Sequence, residues 1–336
     1  IEKVDQGKTR LFSAGEMAYS IVFRQYFLAF IAHMTRNRIT FESTVGINVY
    51  NYEWTALAAR LTEVGPYVIA GDFSNYDGTL SAEMLWKCLD IVEGYYADST
   101  EEDRRVRRGL WSEIVHSVHI DGSDVYGWSH SQPSGCPMTT VLNCLYHSIS
   151  IRYVYILCAM KYCPAMLSLD NFVKYVRHSN YGDDDVTNIS PTIIEWFNQE
   201  TIAEMYLKLG MIYTDEAKTG EIVKFRYLKD IAFLKRKFRW DESSVRYRAP
   251  LALETIREMA MWVHGTVDVH QQTAITLQEA VHELAQHDEA TFLREIPAFA
   301  AAARFLNVPV YFSTYEFYQM IETQRWGMGQ SNLCDR

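Results

Sequence analysis

The run Tyr181-Gly182-Asp183-Asp184-Asp185 crowds three carboxylates onto a glycine-containing turn, and that concentration of negative charge suits the holding of divalent metal ions. A second acidic segment, Asp72-Phe73-Ser74-Asn75-Tyr76-Asp77, closes the apolar stretch that begins Tyr67-Val68-Ile69-Ala70. If the two segments end neighbouring strands, Asp72 and Asp183 can clamp two ions about 4 Å apart, with Asp184 beside them. One ion then activates an attacking oxygen and the other holds a leaving phosphate, which is the chemistry of phosphoryl transfer. Mg²⁺ suits so open an oxygen site, with Mn²⁺ as a substitute, because it keeps several waters and takes further ligands from substrate phosphates. An isolated Asp-Asp turn is more often a solvated hairpin tip than a metal site; the upstream carboxylates reverse that balance toward metal binding.

Asp77 lies where it can accept a hydrogen bond from a ribose hydroxyl, or simply start the helix that follows. Ser134-Gly135, Thr139, Thr140 and Asn143 set hydroxyls and an amide along the first turns of a buried helix. Asn143 must find partners there, in the core or in a ligand. Basic residues gather in three places: Lys3, Lys8 and Arg10; Arg104, Arg105, Arg107 and Arg108; and Lys235, Arg236, Lys237 and Arg239. The middle cluster follows Glu101, Glu102 and Asp103 on a predicted helix and reads as a solvated face.

These residues need a scaffold, and the chain can supply one. Its 336 residues are 48% hydrophobic and 14% aromatic with 8 prolines, enough for a large folded core and too apolar for disorder. A net charge of -10 excludes a protein that coats nucleic acid over its whole surface, so any nucleic-acid contact must be local. The six cysteines form neither a disulfide framework nor a zinc pattern and read as free thiols. The start, Ile1-Glu2-Lys3-Val4, has no initiator Met or targeting pattern and is expected to be an excised or truncated start. Val141 to Met160 mimics a membrane span, but Asn143, His147 and Arg152 within it argue for a buried helix.

Apolar spacing predicts helices over 16–36, 53–63, Leu80 to Tyr96, Met138 to Met160 and 193–209, the last ending at Gly210. Strands are expected at Tyr67 to Phe73, Val125 to Trp128, Phe172 to His178, Val186 to Ile189 and Ile231 to Arg236, with a polar turn over Tyr213 to Gly220. Helices return at Leu251 to Val263, Thr273 to Gln286 and Glu289 to Leu306. The pattern is α+β, a central sheet with helical flanks.

This ordered set resembles the viral RNA-dependent RNA polymerases of the picornavirus-like group, including related insect viruses, over about residues 1 to 240. Asp72 to Asp77 looks like the first palm motif, Ser134-Gly135 through Asn143 the second, and Tyr181-Gly182-Asp183-Asp184 the third. Gly210 to Lys218 looks like the fourth, Phe233-Leu234-Lys235-Arg236 the fifth, and Lys3 to Leu11 the end of the basic fingers motif. The resemblance implies a right-hand polymerase with an antiparallel palm sheet, partial fingers (1–66), palm (67–100 and 131–240), a connection (101–130) and a helical thumb (241–336).

It also implies roles. Asp72, Asp183 and Asp184 would hold the metals, and Lys218 would be the general acid for pyrophosphate. Asp77, Ser134, Gly135, Thr139 and Asn143 would surround the nucleotide, with the ribose hydroxyl read by the side chains among them. Lys3, Lys8 and Arg10 would neutralise the triphosphate, and Lys235 with Arg236 would grip the growing RNA strand. The implied partners are RNA template and primer, NTPs and other viral replication proteins, without direct membrane insertion; the implied place is the host cytoplasm at viral replication complexes. Asp185 departs from the family pattern and is expected to point away from the metals, because strand side chains alternate faces. The rival readings are a catalytically weak or inactive RNA-binding fragment, a metal-dependent nuclease and a reverse transcriptase.

Overall fold

The computed structural model describes residues 13–128, 130–218, 220, 223–263 and 268–326. Its centre is a four-stranded antiparallel sheet of β1 (Tyr67–Ser74), β4 (Val176–Tyr181), β5 (Asp184–Ile189) and β6 (Ile212–Asp215), in the order β4-β5-β1-β6. Strand alternation divides β1 between two cores. Ile69 and Phe73 join the larger core, while Val68 and Ala70 face Trp54, Phe233 and Phe238 on the other side. Because β1 and β5 run antiparallel, with Gly71 opposite Asp185, the last residues of β1 lie beside the turn that opens β5. This register brings two acidic segments more than a hundred residues apart to one end of the sheet.

Helices cover the larger core. They are α1 (Met17–Arg36), α3 (Ala82–Tyr95), α4 (Glu101–Val115), α5 (Thr139–Tyr162), α6 (Leu169–Tyr175) and α7 (Gln199–Lys208), with α2 (Tyr52–Arg60) on the opposite side. Ser81 caps α3 by accepting from the Met84 amide, and Thr100 with Asp103 forms a capping box on α4. Phe23, Phe27, Trp111 and Tyr155 are fully buried, each contributing about 1.5–3 kcal/mol through area removed from water. The span-like helix α5 packs on β4 and α7, and 67% of its most apolar window is buried in the protein. It is the only described helix long and apolar enough to cross a membrane.

A hairpin of β2 (Val118–Asp121) and β3 (Asp124–Gly127) projects from this body. Beyond the sheet come the short strands β7 (Ala232–Phe233), β8 (Arg236–Lys237), β9 (Arg239–Asp241) and β10 (Arg246–Arg248), then α8 (Leu253–Met259), α9 (Val269–Leu284), α10 (Glu289–Phe305) and α11 (Tyr315–Trp326). Ile256, Leu277, Leu284, Phe292 and Phe299 form a separate core within these last helices.

Several local expectations change. Phe172 belongs to α6, and its strand begins only at Val176. The helix expected over 193–209 is confined to α7, where Asn198 supplies a capping box, while Gly210 ends it with φ +76° as expected. The turn expected from Tyr213 is first an edge strand, β6, because its residues complete the sheet along β1. The strand expected over Ile231 to Arg236 is a hairpin: Phe233 pairs with Arg236, leaving Leu234 and Lys235 at φ +53° and +62° as its two-residue loop. Arg107 leaves the solvated face of α4 and is 2% exposed, held by Glu93 through two bonds of 2.7 Å. Five of the cysteines, from Cys88 to Cys163, are free thiols, as expected.

Candidate active site

The carboxylates of the two acidic segments converge at the open end of the sheet. Asp72 is 7% exposed and forms an ion pair with Lys218. Asp183 opens into a cavity of about 1000 Å³, which Lys218, Asp77, Asn143 and Gly182 also line. The surrounding protein, and then the nearby charges of Asp72 and Asp77, raise the Asp183 carboxyl above its ordinary range. Burial, followed by repulsion from Asp183 and Asp72, pushes Asp184 up to about 6, against the pull of Lys218 and Lys235. The hydrogen bond to Asp72 raises Lys218, keeping it an ammonium. One lysine thus faces a group of carboxylates that repel one another.

That donor chemistry fits hard divalent cations, which favour oxygen ligands. Among the described residues no three His, Cys, Asp or Glu side chains converge tightly enough to enclose one ion by themselves. Mg²⁺ sites completed by water and substrate phosphate have this incomplete protein shell.

Elsewhere on the cavity wall, Asn143 Nδ2 donates to Asp77 Oδ1 at 2.8 Å, uniting two residues 66 positions apart. The Asn143 Oδ1 is buried without a partner among the described residues, and the side chain lines the cavity. Ser134 Oγ accepts weakly from the Ser13 amide at 3.4 Å, and the Gly135 amide donates to the Ser13 carbonyl at 2.8 Å. A Cβ on Gly135 would lie 2.3 Å from that carbonyl oxygen, so glycine is required for this contact. It holds the residue three positions after Arg10 against the cavity wall. Thr139 donates its hydroxyl to the Cys136 carbonyl at 2.8 Å and to that of Ser134 at 3.1 Å. Its hydroxyl shapes the loop, although the residue also lines the cavity.

Lys218 reaches Asp72 because the end of β6 turns sharply. The Lys218 amide donates to the Asp215 carbonyl at 3.0 Å, the Gly220 amide donates to Asp215 Oδ1 at 3.3 Å, and Lys218 takes φ +55°. On the far face of the sheet, Asp185 is 1% exposed and accepts from Tyr213 Oη at 2.9 Å and from Thr187 Oγ1 at 3.1 Å. It points to the face opposite Asp72, as strand alternation predicts. Tyr213 reaches it by crossing Gly71, where an added Cβ would lie 2.0 Å from the ring. Burial raises Asp185 to about 7 despite these bonds.

Helix α5 supports the acidic turn from beneath. Cys144 Sγ accepts from the Gly182 amide at 3.2 Å, and His147 Nδ1 donates to the Gly182 carbonyl at 3.3 Å. Burial, then the neighbouring His178, keeps His147 neutral, well below its ordinary range. Sequence reasoning missed both supports and also Gln132, a buried amide on the cavity wall. The signal available for Gln132 was a polar side chain directly before Pro133-Ser134-Gly135.

The fifth motif divides. Lys235 is exposed, on the side whose field reaches Asp184. Arg236 does not fit the expectation that it grips RNA, because both terminal nitrogens bind Glu283 of α9 at 2.7 Å. An inward-turning hairpin takes its guanidinium into this joint. Lys3, Lys8 and Arg10 lie outside the described residues.

The family profile described as viral RNA-dependent RNA polymerase matches residues 1–303. The chain belongs to this family. Within it, the replicase polyprotein of acute bee paralysis virus (strain Rothamsted) is 45% identical over 298 residues, covering 87% of this chain and 16% of the polyprotein. The replicase polyprotein of Drosophila C virus (strain EB) is 43% identical over 317 residues, 92% of this chain and 18% of the polyprotein. The polymerase fold matches the solved Sicinivirus 3Dpol RNA-dependent RNA polymerase with a TM-score of 0.78 at 22% identity, over 96% of this chain and 64% of that one. The fold is the right-hand polymerase class that the motifs implied. Polymerases of this family use divalent metal ions.

Proposed function

We propose that this chain forms the catalytic part of a polymerase that copies viral RNA from NTPs during genome replication. The observation that carries this reading is a single cavity lined by Asp183, by Lys218, the ion-pair partner of Asp72, and by the hydrogen-bonded Asp77–Asn143 pair. A nuclease would use the carboxylates but has no need for a sugar-reading pair, and a reverse transcriptase would exclude the hydroxyl that Asp77 and Asn143 can bind.

Asp72 and Asp183, with Asp184 assisting, would hold Mg²⁺, or Mn²⁺ in its place, and the ions would supply Lewis-acid stabilisation of phosphate charge. The 3′-hydroxyl oxygen of the growing strand bonds to the α-phosphorus as the bond from that phosphorus to the pyrophosphate oxygen breaks. The hydroxyl proton passes to solvent, and the Lys218 ammonium supplies one to the departing pyrophosphate. Asp77 and Asn143 orient the ribose. Lys3, Lys8 and Arg10 neutralise the triphosphate, and Lys235 contacts the strand backbone. Other viral replication proteins would join it at replication complexes in the host cytoplasm.

The test is extension of a labelled RNA primer on an RNA template with Mg²⁺, using this chain, a longer form carrying the preceding polyprotein segment, and Asp183→Ala in each. Extension that requires Asp183 supports the reading. Near-normal extension by Asp183→Ala would sink the metal assignment, and RNA binding without extension by the longer form would favour an inactive RNA-binding scaffold.

A further inference from the structure

Gln132 is 2% exposed, and among the described residues neither its Nε2 nor its Oε1 has a hydrogen-bond partner. It nevertheless lines the cavity with Asp77, Ser134, Asn143 and Asp183. Its backbone is fixed there: the Gln132 amide donates to the Asp77 carbonyl at 3.0 Å, and the preceding Ser131, at φ +139°, donates to the Leu80 carbonyl at 3.0 Å. Leaving a buried amide unpaired is costly, so such a group in a cavity wall indicates a missing partner. Asn143, whose Oδ1 is likewise buried and unpartnered among the described residues, lines the same cavity, and both residues are joined to Asp77.

The chemistry of a nucleotide narrows that partner. Gln132 offers a donor and an acceptor at fixed positions. Phosphate oxygens only accept and would leave Oε1 unpaired. Base edges differ among the four nucleotides, so no fixed amide pairs with all of them equally. A ribose hydroxyl both donates and accepts, and it is the same in all four.

We propose that Gln132 is a specificity-determining residue that bonds a ribose hydroxyl of the incoming nucleotide, opposite the Asp77–Asn143 pair. This rests on the polymerase reading above. Gln132 would thereby help to distinguish ribonucleotides from analogues lacking that hydroxyl, as a site built to bond a hydroxyl rejects substrates without one.

The experiment measures single-nucleotide kcat/KM by the longer polymerase form, with NTP, 2′-deoxy-NTP and 3′-deoxy-NTP, for unsubstituted protein and Gln132→Met. Met keeps the volume and removes both polar atoms. If thermal melting shows that Gln132→Met is unfolded, Gln132→Ser, which adds no bulk, takes its place. The expected result is a loss of about tenfold for NTP and no loss for the analogue lacking the contacted hydroxyl, which also tells 2′ from 3′. An equal loss with all three sugars, or no loss with any, would overturn the proposal. Absence of incorporation by the unsubstituted protein would instead refute the polymerase reading, and this inference with it.

Discussion

Two clusters of charge meet adjacent residues of the short β7–β8 hairpin, and they are built on opposite principles. At the joint between this hairpin and α9, Arg236 binds both oxygens of Glu283, Tyr50 donates to the same carboxylate, and the Arg236 guanidinium lies 5.5 Å from the Tyr50 ring centroid. Side-chain exposure there is 12% and 6%, and each charge has its opposite. Around the acidic turn, Asp72, Asp183 and Asp184 repel one another with Lys218 paired to Asp72, and two buried amides of the adjoining cavity wall keep unpaired atoms. The joint pairs its charges within the protein, whereas around the acidic turn like charges crowd together. Opposite charges matched within the protein suit a structural joint, and like charges crowded together suit a place that binds cations.

The sharpest break of this comparison is Glu283→Ala, expected to cost about 3–5 kcal/mol of stability in denaturant unfolding, because it strands the Arg236 charge in a buried place. Asn143→Ala should reduce the ratio of ribo- to deoxynucleotide efficiency by about tenfold while leaving the melting temperature nearly unchanged; an unchanged ratio would remove Asn143 from sugar recognition. Tyr213→Phe deletes the bond to Asp185 beneath the acidic turn and should destabilise by about 1–2 kcal/mol. Asp183→Asn, by contrast, should change stability by less than about 1 kcal/mol, or raise it slightly, since it relieves repulsion. A loss of several kcal/mol in the same unfolding assay would mean that Asp183 is structural after all.

Much of the site was legible because its residues sit in short segments whose local chemistry is self-announcing. Asp72 closes an apolar strand, Gly182 supplies the φ +71° that the turn before Asp184 adopts, and Ser81 caps the helix beyond Asp77. The alternation that turns Asp185 away also follows from the strand period alone. Where local pattern was ambiguous, long-range pairing decided. Residues from Tyr213 onward looked like a polar turn because β6 is a short edge strand whose apolar contacts come from β1 and α7 rather than from its own sequence.

By itself the sequence determined the ordered motifs, the α+β pattern, the acidic pair and the family they imply, since each is a matter of residue type and near spacing. Only the tertiary structure decided which charges are left over. Arg236 and Lys235 are adjacent, yet one is buried against Glu283, 47 positions away, and the other remains exposed. Gln132 is an ordinary loop residue until the folded chain buries it beside Asp77 without offering its side chain a partner. Whether a polar group is paired depends on what the rest of the chain brings to it, and that is set by long-range packing rather than by the residues beside it in sequence.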